Sequence, residues 1–97
     1  MAHAVVWSAA AVEDLESIAE YISRDSAAYA AAVIRNIIES TRRLTKFPES
    51  GRIVPELNDR GTREVITHGY RVIYRLQEEH VLVITVLHGR RRLPLVE

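Results

Sequence analysis

Residues 62–87 read TREVITHGYRVIYRLQEEHVLVITVL, and this stretch decides the fold. It divides into three strand-like runs rich in β-branched and aromatic residues, Thr62–Thr67, Tyr70–Gln77 and Val81–Leu87. The junctions His68-Gly69 and Glu78–His80 are short enough for hairpins, which predicts an antiparallel meander. In the middle run Tyr70, Val72, Tyr74 and Leu76 point one way and Arg71, Ile73 and Arg75 the other, so one face is core and one is charged. The last run is apolar on both faces, and one layer of helices can cover only one of them. Either Arg90–Glu97, with Leu93, Pro94, Leu95 and Val96, folds back over the second face, or a partner protein covers it.

Upstream of the meander, Pro48–Gly61 is loop, broken by Pro48, Gly51, Pro55, Asn58, Asp59 and Gly61. A loop of this length in so small a domain is more often functional than idle. Before it, Ala30, Val33, Ile34, Ile37, Ile38, Thr41 and Leu44 share one helical face, with Asp25 or Ser26 as the N-cap and Pro48 as the stop. Ala9–Arg24 is a second amphipathic helix, with Val12, Leu15, Ile18, Ala19 and Ile22 on its apolar face and Ser8 as cap. Helices joined by one or two residues form an antiparallel hairpin. Ala4–Trp7 completes the chain as a short N-terminal strand. The expected fold class is α+β: a short strand, a two-helix hairpin, then a three-stranded meander with the helices on one face of the sheet.

Ninety-seven residues form one small domain, residues 1–97. With no cysteine, disulfides, thiol nucleophiles and cysteine metal sites are excluded, which fits a reducing cytoplasm. No apolar run approaches the roughly 20 residues of a membrane span. Ala4–Val12 is not read as a signal peptide, because no cation precedes it and Glu13-Asp14 follow at once. Thirteen basic and 13 acidic residues cancel, without the basic excess of a typical nucleic-acid binder. All the cations except Lys46 are arginine, which favours bidentate ion pairs.

The order strand, helical hairpin, long loop, meander resembles the RelE/ParE superfamily of bacterial toxins over nearly the whole chain. So do the strings Phe47-Pro48-x-x-Gly51-Arg52, Arg63-Glu64, Tyr70-Arg71-Val72-Ile73-Tyr74-Arg75 and Val86-Leu87-His88-Gly89-Arg90-Arg91. The resemblance implies a toxin of a type II toxin–antitoxin pair, neutralised when a small ParD-like or RelB-like antitoxin wraps it. RelE-like members cleave messenger RNA in the ribosomal A site, whereas ParE-like members share the fold, poison DNA gyrase and are not nucleases. The Leu87-His88-Gly89-Arg90-Arg91 ending looks more like the ParE and plasmid-stabilisation side. It implies inhibition of gyrase by protein–protein contact, with Arg71, Arg75, His88, Arg90 and Arg91 as target-binding residues and no cofactor or metal.

The alternative is a ribosome-dependent endoribonuclease acting on mRNA. Metal-free cleavage through the 2′-hydroxyl needs a base, an acid and cations for the phosphorane. Arg71 matches the phosphate-binding arginine of RelE-like members, Glu56 is a candidate base and His88 a candidate acid. Residues 52–60 contain no lysine and nothing aromatic follows Tyr74, both departures from the nuclease pattern. A third reading is a degenerate member that only binds antitoxin. Plainer roles stand beside these: Arg71 and Arg75 as exposed strand arginines, His88 as a hydrogen-bonded strand end, Tyr70 and Tyr74 as core, and Arg90–Arg92 as a solvated tail. His3, His68 and His80 lie on different elements without metal-ligand spacing.

Overall fold

Ser8 ends the first strand and begins the first helix. In the computed structural model, which describes residues 3–93, its hydroxyl accepts from the Ala11 N–H at 3.0 Å and donates to the Ile84 carbonyl at 3.1 Å. Strand β1 (Ala4–Trp7) is thereby tied to the last strand where helix α1 (Ala9–Ser23) starts. Ser26, of the two caps the sequence offers, accepts from the Tyr29 N–H and opens α2 (Ala27–Arg42). A single 3-10 turn, Arg43–Thr45, ends the hairpin. Ala11, Val33, Ile37 and Leu44 then meet Val72, Tyr74 and Val83 in the main core.

The sheet has five strands in the order β1-β5-β4-β3-β2, with β2 (Arg52–Ile53), β3 (Thr62–Thr67), β4 (Tyr70–Leu76) and β5 (His80–His88). The meander is present, with His68 and Gly69 both at positive φ in the first hairpin turn. Two strands extend it. β1 pairs parallel with β5, and β2 is a two-residue strand inside the predicted loop, antiparallel to β3. With β1 on one side and β4 on the other, β5 is an interior strand, and its Val81, Val83 and Val86 are buried while Leu82, Ile84 and Leu87 are half-buried.

The register contains one irregularity. Ile73 faces Thr85 and Tyr74 faces Val83, so Ile84 is an extra residue in β5, a bulge. It reverses the alternation, and Val81, Val83 and Val86 all reach the main core. The Val86 N–H beside the bulge donates instead to the Asp14 carboxylate of α1 at 2.9 Å, and the Thr85 hydroxyl to the same oxygen at 2.6 Å.

Two expectations change. On α1 it is Ala11 that is buried, while Val12 is exposed. The face of β4 opposite the helices is not simply charged surface, because Arg71 and Ile73 are buried there. Its cover comes from two places: the loop, whose Val54 is fully buried, and residues 89–93, which cross the Arg71 end. Pro94, Leu95, Val96 and Glu97 lie outside the described residues.

Candidate functional site

The loop is fixed first. Tyr74 Oη is buried, donates to the Pro48 carbonyl at 2.8 Å and accepts from the Gly51 N–H at 2.9 Å. Burial pushes its phenol above the usual value, so it stays protonated and able to donate. Position 51 admits only glycine, since a Cβ there would sit 2.5 Å from Tyr74 Oη and 2.6 Å from the Glu64 carbonyl. Arg52 follows on β2 directly opposite Glu64, and a turn closed by the Leu57 and Asn58 N–H groups on the Val54 carbonyl carries Glu56 over the sheet.

Four charged side chains meet there as a chain. Arg52 Nε and Nη2 both contact Glu64 Oε2 at 2.6 Å. Glu64 Oε1 accepts from Arg71 Nε at 2.7 Å. Arg71 Nη1 and Nη2 grip the two Glu56 oxygens at 2.6 and 2.7 Å, a bidentate pair. Side-chain exposure is 0% for Glu64, 5% for Arg71 and 13% for Glu56, against 60% for Arg52. The buried carboxylates of Glu64 and Glu56 are thus paired with the buried Arg71 guanidinium and the exposed one of Arg52, as burial of charge demands. The Arg71 guanidinium and the Leu93 N–H hold the Glu56 carboxyl down at about 2, and Glu56 in turn raises Arg71 further above its already high value.

Residues 89–93 leave the sheet over this network. Gly89 passes so close to Gly69 that its N–H reaches the Gly69 carbonyl at 2.6 Å, and a Cβ would lie 2.7 Å from that oxygen. Arg71 Nη1 donates to the Arg91 carbonyl at 2.9 Å, and Glu56 Oε2 accepts from the Leu93 N–H at 2.8 Å. The side chains of Arg90, Arg91 and Arg92 are exposed, and among the described residues none pairs with an acidic group. With Arg52, Glu56 and Arg71 they line an open cavity of about 360 Å³.

The predicted residues do not all converge. Arg71 and Glu56 are joined, and Arg90 and Arg91 border the same cavity. His88 is across the sheet from them: it pairs with Tyr70, whose ring it meets edge-on at 5.7 Å on the helix side, and its Nδ1 accepts from the Arg90 N–H at 3.2 Å. It lines a separate cavity of about 340 Å³ with Asp14, Tyr70, Arg91 and Arg92. Arg75 is exposed on β4 between Thr62 and Leu82 and borders neither cavity. Glu64 and Asp14 were not anticipated as site residues. A two-residue turn at His68-Gly69 sets Ile66 opposite Arg71, and one step of two from Ile66 reaches Glu64 on the same face, so that signal was present; for Asp14 there was none.

An α+β domain with a helical hairpin on one face of its sheet has the architecture of the RelE/ParE toxins. Residues 5–93 match the family described as the ParE toxin of the type II toxin–antitoxin system parDE, and the chain belongs to that family. Among solved structures it resembles a chain of the chromosomal ParDE system from P. aeruginosa, at 17% identity and a TM-score of 0.74, covering 89% of this chain and 95% of that one. It is also similar to a chain of the toxin–antitoxin complex RelBE2 from Mycobacterium tuberculosis, at 23% identity and a TM-score of 0.60, covering 91% and 99%. No curated protein matches the sequence significantly. Among the described residues no helix is long and apolar enough to cross a membrane.

Proposed function

We propose that this ParE-family toxin inhibits DNA gyrase by protein–protein contact through the exposed arginines at the end of the sheet, and that a cognate antitoxin neutralises it in the cytoplasm. The observation that carries this reading is the division of the nuclease candidates. Arg71 and Glu56 saturate one another on one face of the sheet while His88 stands on the other. A general base works best with a pKa near the operating pH, and Glu56, at about 2, is far from it. Arg71 has its Nε, Nη1 and Nη2 engaged within the protein and is 5% exposed, so a phosphate would have to displace two carboxylates. Among the described residues Arg90, Arg91 and Arg92 have no acidic partner, which suits them to an acidic protein surface.

For the antitoxin the support is apolar. Val12 and Tyr21 on α1 and Tyr29 and Ile38 on α2 are exposed, as an amphipathic helix laid along the hairpin requires. Antitoxin binding should raise the melting temperature, by an amount that grows with the logarithm of the antitoxin concentration over its Kd. The target test is supercoiling by purified gyrase, which the toxin should inhibit, together with expression lacking antitoxin, which should give filamentous cells, an induced DNA damage response and intact bulk mRNA. Codon-linked cleavage of transcripts on ribosomes would replace this reading with the endoribonuclease one.

A further inference from the structure

We propose that Glu56 is a positioning residue for the Arg90–Arg92 segment: by binding Arg71 with both oxygens and the Leu93 N–H with one, it sets the side on which these arginines are presented. The proposal rests on the reading above, in which the arginines contact the target.

The segment is anchored through its backbone. Gly89 donates to Gly69, Arg90 to the His88 ring, Arg91 to the His88 carbonyl and Leu93 to Glu56, while the Arg91 carbonyl accepts from Arg71. The first three anchors hold only the exit from β5. The last two, at Arg91 and Leu93, draw the backbone down onto the sheet two residues apart, and both come from the Glu56–Arg71 pair. With its backbone groups facing inward, the segment carries the guanidiniums outward. A preordered segment binds more tightly than one that must find its conformation on contact, since apparent affinity scales with the fraction already competent. Removing the Glu56 carboxylate releases the Leu93 N–H and two of the Arg71 contacts, yet leaves Arg71 paired with Glu64, so the sheet retains a neutralised guanidinium.

The experiment compares the full-length toxin with Glu56→Ala, Glu56→Gln and the double variant Arg90→Glu with Arg91→Glu. Four quantities are measured: amide hydrogen exchange at Leu93, thermal unfolding, antitoxin binding, and toxicity as loss of colony formation on expression without antitoxin. Glu56→Ala should unfold cooperatively and bind antitoxin, exchange Leu93 about tenfold or more faster, and need about tenfold more expression to stop growth. Glu56→Gln keeps an oxygen for Leu93 but not the charge for Arg71, and should fall between Ala and wild type in both exchange and toxicity. The double variant should keep slow exchange and lose toxicity. Unchanged exchange at Leu93 in both Glu56 variants would overturn the anchor, and faster exchange with full toxicity would overturn its positioning role. Because colony formation does not depend on the identity of the target, a failure to inhibit purified gyrase would sink the gyrase reading and leave this proposal to be judged on its own outcomes.

Discussion

Arg71 is held by more hydrogen bonds than any other side chain described, and removing it would strand what it holds. Glu64 would remain fully buried with only the half-exposed Arg52, and Glu56 would keep only the Leu93 N–H. Breaking a buried ion pair from one side costs about 3–5 kcal/mol. Arg71→Ala should therefore lower the urea midpoint strongly, and a loss of toxicity in that variant says nothing about phosphate binding unless the protein is shown to be folded. Glu56 gives the same network a pH signature. Its pKa is lowered on folding from 4.5 to about 2, so its contribution is complete above pH 4.5 and is lost as the pH falls towards 2. The stability difference between wild type and Glu56→Gln should accordingly be constant at neutral pH and shrink between pH 4.5 and 2; a constant difference across that range would contradict the ion pair. Alternation in β4 placed Arg71 on the correct face. It could not show burial, because the covering carboxylate comes from a loop 15 residues earlier in the chain.

Elements were legible where their pattern is local. The two helices, Ser8 as the first cap and Asp25 or Ser26 as the second, and the three long strands all follow from periodicity and turn chemistry, with most ends shifted by a residue or two; α2 stops at Arg42, where the periodicity runs on to Lys46, and its last turn is 3-10. Pairings between distant segments were not. Nothing in Ala4–Trp7 says that it joins β5 in parallel, and a two-residue β2 has no pattern to detect. The bulge at Ile84 is of the same kind, visible in the sequence only as an uninterrupted apolar run whose alternation is hidden. Its cost is offset by Asp14, which accepts both from the displaced Val86 N–H and from Thr85. Asp14→Ala leaves two donors unsatisfied beside the core and should destabilise by about 1–3 kcal/mol in denaturant unfolding, with faster exchange at the Val86 amide. Asp14→Asn retains an oxygen and should cost less. Equal stability of Asp14→Ala and wild type would mean that water replaces the carboxylate.

Across the whole molecule the charge sums to zero, yet its distribution is uneven. The carboxylates of Glu56 and Glu64 are consumed by Arg71 and Arg52, which leaves Arg90, Arg91 and Arg92 without an acidic partner among the described residues, a cationic edge beside the cavity they line. The exposed apolar side chains of the hairpin, Val12, Tyr21, Tyr29 and Ile38, belong to other elements. Under the proposed function the hairpin recognises the antitoxin and the arginines the target, so the two should be separable by substitution. Arg90→Glu with Arg91→Glu changes two exposed side chains that take part in no ion pair described, so the cost to folding should stay within about 0.5 kcal/mol. Reversed charge repels an acidic surface that the arginines would attract, and attraction between exposed charges weakens as salt shortens the screening length. The double variant should melt like wild type, still bind antitoxin through the hairpin, and lose toxicity; inhibition by the wild-type protein should weaken with added salt, while antitoxin binding changes less. Full toxicity in a folded double variant would remove the tail from the contact surface and transfer the search to Arg75 and Arg52, exposed cations on the face opposite the helices.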